Sequence, residues 1–184
     1  MALRLIESEE RHTERILSAI AGDTEAQSWI VDTYTAPIYR YCYRMLRNSE
    51  DAQELTQEVL LRGLRSIQRF DPRRSFKTWI FSIARNACID FHRKRRPTVS
   101  DSVVPLKDSG PSPSDVTLQN ERATRLEKAL DTLPALYREV IILYHFEHLK
   151  YQEIAESLEV PLGTVMNRIF RARKKLREAY GEEV

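Results

Sequence analysis

The sequence predicts an all-α protein built as two helical domains joined by a flexible linker. Three observations point there. Apolar residues recur three and four apart through two long blocks, and no run alternates apolar with polar as a half-buried strand would. Between Pro97 and Glu121, 12 of the 23 residues are Ser, Pro, Gly or Asp, a composition that cannot sustain a helix and buries little. Only 5 glycines occur in 184 residues, too few and too scattered for the clustered-glycine phosphate loops of Rossmann or P-loop proteins. The expected domains are residues 1–97 and 121–184, with 98–120 as the linker.

In the first domain the pattern predicts helices near 8–21, 24–47, 50–69 and 75–95. Asn48, Ser49 and the pair Asp71-Pro72 supply cap and turn chemistry between them. In the second it predicts helices near 117–132, 135–147, 151–158 and 162–180. Pro134 and Pro161 stand at first turns, where a missing backbone N–H costs nothing. Glycines and prolines are expected at helix edges throughout.

The balance of 29 basic against 27 acidic residues gives a net charge of +2, which read globally predicts no polyanion partner. The charge is bunched, however. Arg85 to Arg96 holds five bases and one acid, and Arg168 to Arg177 holds six bases and no acid. With 42% hydrophobic residues the chain can bury a core. Cys42 and Cys88 lie in apolar helical patterns and read as buried, reduced thiols. No CxxC pair occurs, and His145 and His148 have no neighbouring Cys to complete a zinc set, so neither a metal nor a cofactor is expected; a surface or capping role suits the two histidines. Acids stand where a signal peptide needs an apolar run, and no apolar stretch nears the roughly 18 residues of a membrane span. The expectation is a soluble cytoplasmic protein without membrane insertion.

Three constellations carry chemistry. In Tyr151 to Leu176, Ile154, Ala155 and Leu158 form the inner face of a short helix, and a turn leads to a second helix near Leu162, the pattern of a helix-turn-helix. Val165, Ile169, Ala172 and Leu176 define the buried stripe of that second helix. Met166, Asn167, Phe170, Arg171 and Lys174 lie opposite, with an amide, a guanidinium and an aromatic ring suited to base edges in a major groove. Arg168, Arg173, Lys175 and Arg177 suit phosphates. A merely solvated basic helix would carry the same charges, but it gains nothing from an exposed Phe170. In Phe76 to Arg96, Ile80, Ile83, Ala84, Ala87 and Phe91 form the apolar face. Trp79, Asn86 and Arg93 share an opposite stripe beside Asp90 and lead into Arg93-Lys94-Arg95-Arg96. An aromatic, an amide and terminal bases are what single-stranded DNA recognition needs, although Trp79 would equally serve to pack against a neighbouring helix. In Asp51 to Leu64, Asp51, Glu54, Gln57, Glu58 and Arg62 face outward. An acidic face repels DNA and suits a basic protein partner, and taken alone it is also an ordinary solvated face.

These segments, in this order, resemble a bacterial RNA polymerase sigma factor of the extracytoplasmic function (ECF) group, which keeps only sigma domains 2 and 4. Asp51 to Val59 resembles region 2.2; Phe76 to Arg96, with Ile83-Ala84-Arg85-Asn86, resembles regions 2.3 and 2.4; Leu133-Pro134 through Arg177, with Tyr151 to Ala155 and Gly163-Thr164-Val165, resembles region 4. The resemblance implies that Asp51, Glu54, Gln57 and Glu58 contact the β′ coiled coil of core polymerase, with the β flap as a further contact. It implies that Trp79, Asn86, Asp90, Arg93, Arg95 and Arg96 lie at the opened −10 element, with a base taken out of the stack. It places Met166, Asn167, Phe170, Arg171 and Lys174 on the −35 duplex, with Thr164 and Arg168 near phosphates.

Met166 and Asn167 replace the Lys or Arg followed by Ser of many relatives, which alters the expected −35 preference. Glu159 occupies a turn position often given to Gly, so a left-handed backbone is not assumed there. Domain 3 of primary sigma factors has no room in the linker, and no sensor domain is expected; regulation is expected from a separate anti-sigma factor. The competing reading is a stand-alone helix-turn-helix regulator, which leaves the Trp79 to Arg96 and Asp51 to Glu58 faces unexplained. No nucleophile or metal-binding carboxylate cluster converges, so an enzyme is not expected.

Overall fold

Local capping chemistry sets where the helices begin. In the computed structural model, which describes residues 2–95 and 127–180, every regular element among the described residues is helical. The N-terminal bundle comprises α1 (Ala2–Ile20), α2 (Thr24–Leu46), α3 (Ser49–Ser66), a single 3₁₀ turn (Ile67–Arg69) and α4 (Phe76–Arg95). Gly22, at φ +96°, reverses the chain after α1, and the Asp23 carboxylate then accepts the Glu25 N–H at 3.0 Å to cap α2. Asn48 caps α3 by accepting the Asp51 N–H at 2.9 Å, and the Ser75 hydroxyl accepts the Thr78 N–H at 3.2 Å at the start of α4.

Two residues depart from the expectation that glycines and prolines stay at helix edges. Pro37 lies inside α2, where its missing N–H removes one rung of the ladder. Gly63 lies inside α3, where a Cβ would come within 2.6 Å of Ile80 Cδ1 on α4. A side chain at that position would force the Ile80 methyl to move aside. Around it Ile30, Ile38, Tyr41, Val59, Ile80, Phe81 and Ala84 are all nearly inaccessible to solvent and form the core of the bundle.

The C-terminal bundle comprises residues 127–131 (α5), α6 (Ala135–Ile141) continued by a π-helical turn (Ile142–Phe146), α7 (Tyr151–Leu158) and α8 (Leu162–Tyr180). Pro134 and Pro161 each stand one residue before a helix, and Pro161 O accepts the Thr164 N–H at 2.9 Å. The Arg138 guanidinium donates to the carbonyls of Leu130, Asp131 and Leu133 at 3.0–3.3 Å, a cation closing the orphan acceptors at the end of α5. Ile154, Leu158, Val165, Ile169, Ala172 and Leu176 are buried as the periodicity predicts. The proposed linker falls outside the described residues.

Glu159 fills a turn whose backbone the sequence left open. It adopts φ 53°, ψ 43°, a left-handed conformation, and its N–H reaches back to the carbonyls of Ala155 and Glu156. The turn must reverse direction within a few residues to bring α8 across α7, and that geometry outweighs the strain on a side-chain-bearing residue. His148 is likewise left-handed, at φ 54°, so it lies beyond the helix and does not share a helical face with His145. Replacing Glu159 by Gly relieves the strain: Glu159→Gly is expected to stabilise the protein by about 1 kcal/mol in urea unfolding, and an unchanged or lower midpoint would contradict this account.

Candidate nucleic-acid interface

Three helix faces point outward, one acidic and two basic. On α3, Glu54 and Gln57 are exposed and Asp51 and Glu58 half-buried, all on the side away from Leu55 and Val59. Glu58 is held by an ion pair to Arg62 one turn along, and Arg62 in turn lies 3.9 Å from Asp90 on α4. The acidic face therefore ends where the α4 stripe begins.

On α4, Asn86, Arg93 and Lys94 are exposed. Asp90 is half-buried and accepts from Arg93 at 3.1 Å, so that pair presents a guanidinium whose charge is partly balanced. Arg95 is the last residue of the helix, while Arg96 falls outside the described residues. Trp79 behaves differently from its stripe. It is half-buried, with its ring 5.1 Å from Phe70 and 5.3 Å from Phe76, tilted against both. The packing role that the sequence left open for Trp79 is thus realised, with one side of the indole still reaching solvent. Ile89, 46% exposed on the same helix, and Leu61, 52% exposed on α3, are apolar surface the sequence did not single out.

On α8, Met166, Asn167, Phe170, Arg171 and Lys174 all face solvent, with Phe170 64% exposed and Met166 52% exposed. Val165, Ile169, Ala172 and Leu176 on the opposite side fix the rotation of the helix, so the outer residues form one edge of a size that fits a major groove. Lys174 is lightly tethered to Glu178 at 3.8 Å. Thr164 is half-buried in the first turn. Arg168 turns inward instead of outward: it is half-buried, its Nη1 is buried without a hydrogen-bond partner, and its charge acts on the Glu139 carboxyl.

The inward bases lead to contacts between the two bundles. Glu139 of α6 is 5% exposed and accepts the Tyr41 hydroxyl at 3.1 Å, with Arg85 Nε at 3.4 Å. Burial pushes the Glu139 carboxyl above the ordinary carboxylate range, while Arg85, Tyr41 and Arg168 pull against it. Glu147, 2% exposed, lies 4.0 Å from Lys77 Nζ, and Lys77 also donates to the Glu147 carbonyl. Arg44 bonds Glu127 at 3.0 Å and stacks its guanidinium 3.8 Å above the Phe146 ring. Arg74 meets Glu156 at 3.3 Å, and Arg47 pairs with Asp131. Cys42 and Cys88 are both buried and free. A hydrogen bond between them, with burial, pushes the Cys88 thiol well above its ordinary value, which makes it a poor nucleophile.

Comparison with known proteins matches these parts to one family. Residues 30–98 match Sigma-70 region 2 and residues 123–176 match Sigma-70, region 4. The chain is 36% identical over 179 residues to the ECF RNA polymerase sigma factor SigW of Bacillus subtilis (strain 168), covering 90% of this chain and 94% of that one. Its fold resembles CnrH in the complex of CnrH with the cytosolic domain of CnrY, with TM-score 0.70, 22% identity, and coverage of 94% and 98% of the two chains. It also resembles the sigma factor RpoE from Bartonella quintana, solved with the anti-sigma factor NepR, with TM-score 0.66, 23% identity, and coverage of 85% and 98%.

The half-buried position of Trp79 separates it from its exposed neighbours. Trp79→Ala is expected to destabilise the fold by about 2 kcal/mol through loss of packing on Phe70 and Phe76. Asn86→Ala should stay within about 0.5 kcal/mol of the parent. Urea unfolding of both variants checks this, and equal midpoints would contradict it.

Proposed function

This chain belongs to the ECF family of RNA polymerase sigma factors, and on that premise we propose how its faces divide the work of promoter-directed transcription initiation. The α3 face of Asp51, Glu54, Gln57 and Glu58 docks on the β′ coiled coil of core polymerase, and the C-terminal bundle meets the β flap. The α4 stripe of Trp79, Asn86, Asp90, Arg93, Arg95 and Arg96 holds the opened −10 strand. The wetted edge of Trp79 offers a stacking surface, Asn86 offers hydrogen bonds to a base edge, and the terminal bases neutralise phosphates. The α8 edge enters the −35 major groove. Arg171 and Asn167 supply directed hydrogen bonds, and Phe170 and Met166 supply apolar contact of the kind that suits thymine methyl groups. Thr164 and Lys174 serve the flanking phosphates. Arg168 reaches a phosphate only by leaving its inward position beside Glu139.

One observation carries this reading: a single chain presents two outward DNA-type faces on separate bundles and, beside the first of them, an acidic face. Acidic and basic surfaces on one small protein suit two partners of opposite charge, a basic protein and DNA. The chain then acts as a specificity subunit and not as an enzyme, because nucleotide addition belongs to the polymerase. It works in the cytoplasm, where polymerase and promoters are. No helix among the described residues is long and apolar enough to cross a membrane. Because the sigma factor RpoE, of the same fold, was solved with an anti-sigma factor, a protein inhibitor of that class is the natural regulator here.

Run-off transcription with core polymerase tests the proposal: a promoter-dependent transcript and a complex on gel filtration are expected, and absence of both overturns it. Arg171→Ala is expected to weaken promoter binding by about 1–3 kcal/mol and to relax sequence choice in the −35 element, read by binding-site selection. An equal loss on all sequences would assign Arg171 to phosphate. Charge reversal at Glu54 and Glu58 together should weaken core binding about tenfold at low salt before DNA is added, with the effect shrinking as salt rises; unchanged affinity would remove α3 from the docking surface.

A further inference from the structure

Trp79 does not stand alone beneath the −10 stripe. Its indole rests on Phe70 and Phe76, and those two rings meet edge to face at 5.3 Å. Phe76 in turn lies edge to face with Tyr34 of α2, ring centroids 5.3 Å apart, and the Tyr34 hydroxyl lies 3.0 Å from Nε2 of His12 on α1. His12 stands edge-on to Trp29 at 5.1 Å, and the Arg15 guanidinium covers that indole at 5.2 Å. A line of rings in contact therefore runs from α1 through the bundle to Trp79. Phe70, Phe76 and Tyr34 are 6%, 5% and 4% exposed, while His12, Trp29 and Trp79 are half-buried. Core packing explains the inner rings. It does not explain the hydrogen bond between α1 and α2, because two apolar groups of the same shape would fill that space at little cost in stability.

We infer that His12 and Tyr34 are positioning residues for capture of the −10 strand: their hydrogen bond fixes Tyr34, Tyr34 fixes Phe76, and Phe76 with Phe70 holds the Trp79 indole in one orientation for a base to stack on. The inference rests on the −10 role proposed for Trp79. It goes beyond that role by giving a task to α1, whose residues precede the Sigma-70 region 2 match at 30–98. His12 and Tyr34 act through Trp79 and do not themselves touch DNA.

The chemistry of the line suits that task. Aromatic pairs prefer particular angles because each ring has an electron-rich face and a positive edge, so turning one ring forfeits its contact with the next. Burial pushes the Tyr34 phenol above its ordinary value and the His12 imidazole below its own. The phenol therefore keeps its proton and donates it to a neutral ring nitrogen, which ties down the far end of the Tyr34 side chain. α1 also packs against the 3₁₀ turn that precedes Phe70, so the same helix supports both rings under Trp79. A stacking surface already held still has less freedom to lose when a base arrives, and that strengthens binding without a new contact. Neither His12 nor Tyr34 belongs to the α3 docking face or to α8, so their effect is confined to the opened strand.

Two measurements on the full chain test this. The protein has 2 tryptophans, so Trp29→Phe leaves Trp79 as the sole emitter, and its fluorescence anisotropy reports how freely the indole moves. In that background Tyr34→Phe, which deletes the hydroxyl and keeps the ring, and His12→Leu are expected to lower the anisotropy. His12→Gln, which keeps an acceptor at the reach of Nε2, is expected to hold it near the parent value. In the holoenzyme, Tyr34→Phe and His12→Leu should reduce open-complex formation several-fold, read by permanganate reactivity of unpaired thymines, with affinity for core polymerase and for −35 duplex unchanged. Tyr34→Phe preserves the packing, so it guards against loss of folding, which circular dichroism checks. Unchanged anisotropy in both variants, or no rescue by His12→Gln, overturns the hydrogen bond as the anchor. A looser indole with undiminished strand opening overturns its part in −10 capture, and an equal loss of core affinity does the same by making the effect one of folding. A parent protein that opens no promoter strikes instead at the sigma function, while the anisotropy still decides whether α1 holds Trp79.

Discussion

Glu139 sits 5% exposed among Tyr41, Arg85 and Arg168, at a point where α2, α4, α6 and α8 converge. A carboxylate taken out of water costs several kcal/mol unless cations and donors replace its hydration, so its neighbours are not free to choose their positions. Tyr41 must present its hydroxyl, which fixes the rotation of α2. Arg85 must approach from α4, and Arg168 must turn in from α8. Shifting any one of these helices by a fraction of a turn would leave a buried charge without a partner. The junction thus transmits a single electrostatic requirement into the placement of four helices, and with them the directions in which the α4 stripe and the α8 edge face.

The same requirement explains how a chain with a net charge of only +2 holds strongly charged surfaces. Bases are used in two ways. Arg171, Lys174, Arg93 and Lys94 remain outside, where water solvates them. Arg44, Arg85 and Lys77 are spent inside the junction against carboxylates of the other bundle. Acids divide likewise between the outward face of α3 and the inward positions of Glu139 and Glu147. Net charge sums over all of these and so describes none of them; what matters for binding is the sign on each exposed face within a Debye length.

Much of this architecture was legible in the sequence, for reasons that are local. Asn48 and Pro161 mark helix starts because capping and the missing proline N–H act within one turn. The stripe Val165, Ile169, Ala172 and Leu176 is readable because helical periodicity alone decides which side is buried. The outward residues of α3 and α8 follow from the same periodicity, taken on the opposite side. What escaped the sequence is tertiary. Trp79 has the spacing of an exposed stripe residue, but Phe70 from the preceding loop covers it, and no helical period describes a loop residue. Arg168 lies in a basic run and counts as a phosphate ligand until Glu139, 29 positions away, claims it. Glu159 takes a left-handed conformation because of the crossing of α7 and α8, which its own side chain does not announce. Cys42 and Cys88 are neighbours across two helices although 46 positions separate them. The pairs Tyr41–Glu139 and Arg44–Glu127 across the junction span 98 and 83 positions, and only the folded chain brings them together.

Covalent connection supports a junction that combines ion pairs with apolar packing. Two separate proteins joined by a junction of this kind would have to offset a loss of translational and rotational freedom worth several kcal/mol. Within one chain that loss is largely prepaid, and the second bundle stands at an effective concentration in the millimolar range for a short connection. The 23 residues between the expected domains can extend to about 75 Å at ~3.3 Å each, which together with the width of the bundles matches the distance between two promoter elements. The tether is therefore short enough to favour reclosing and long enough to permit full separation.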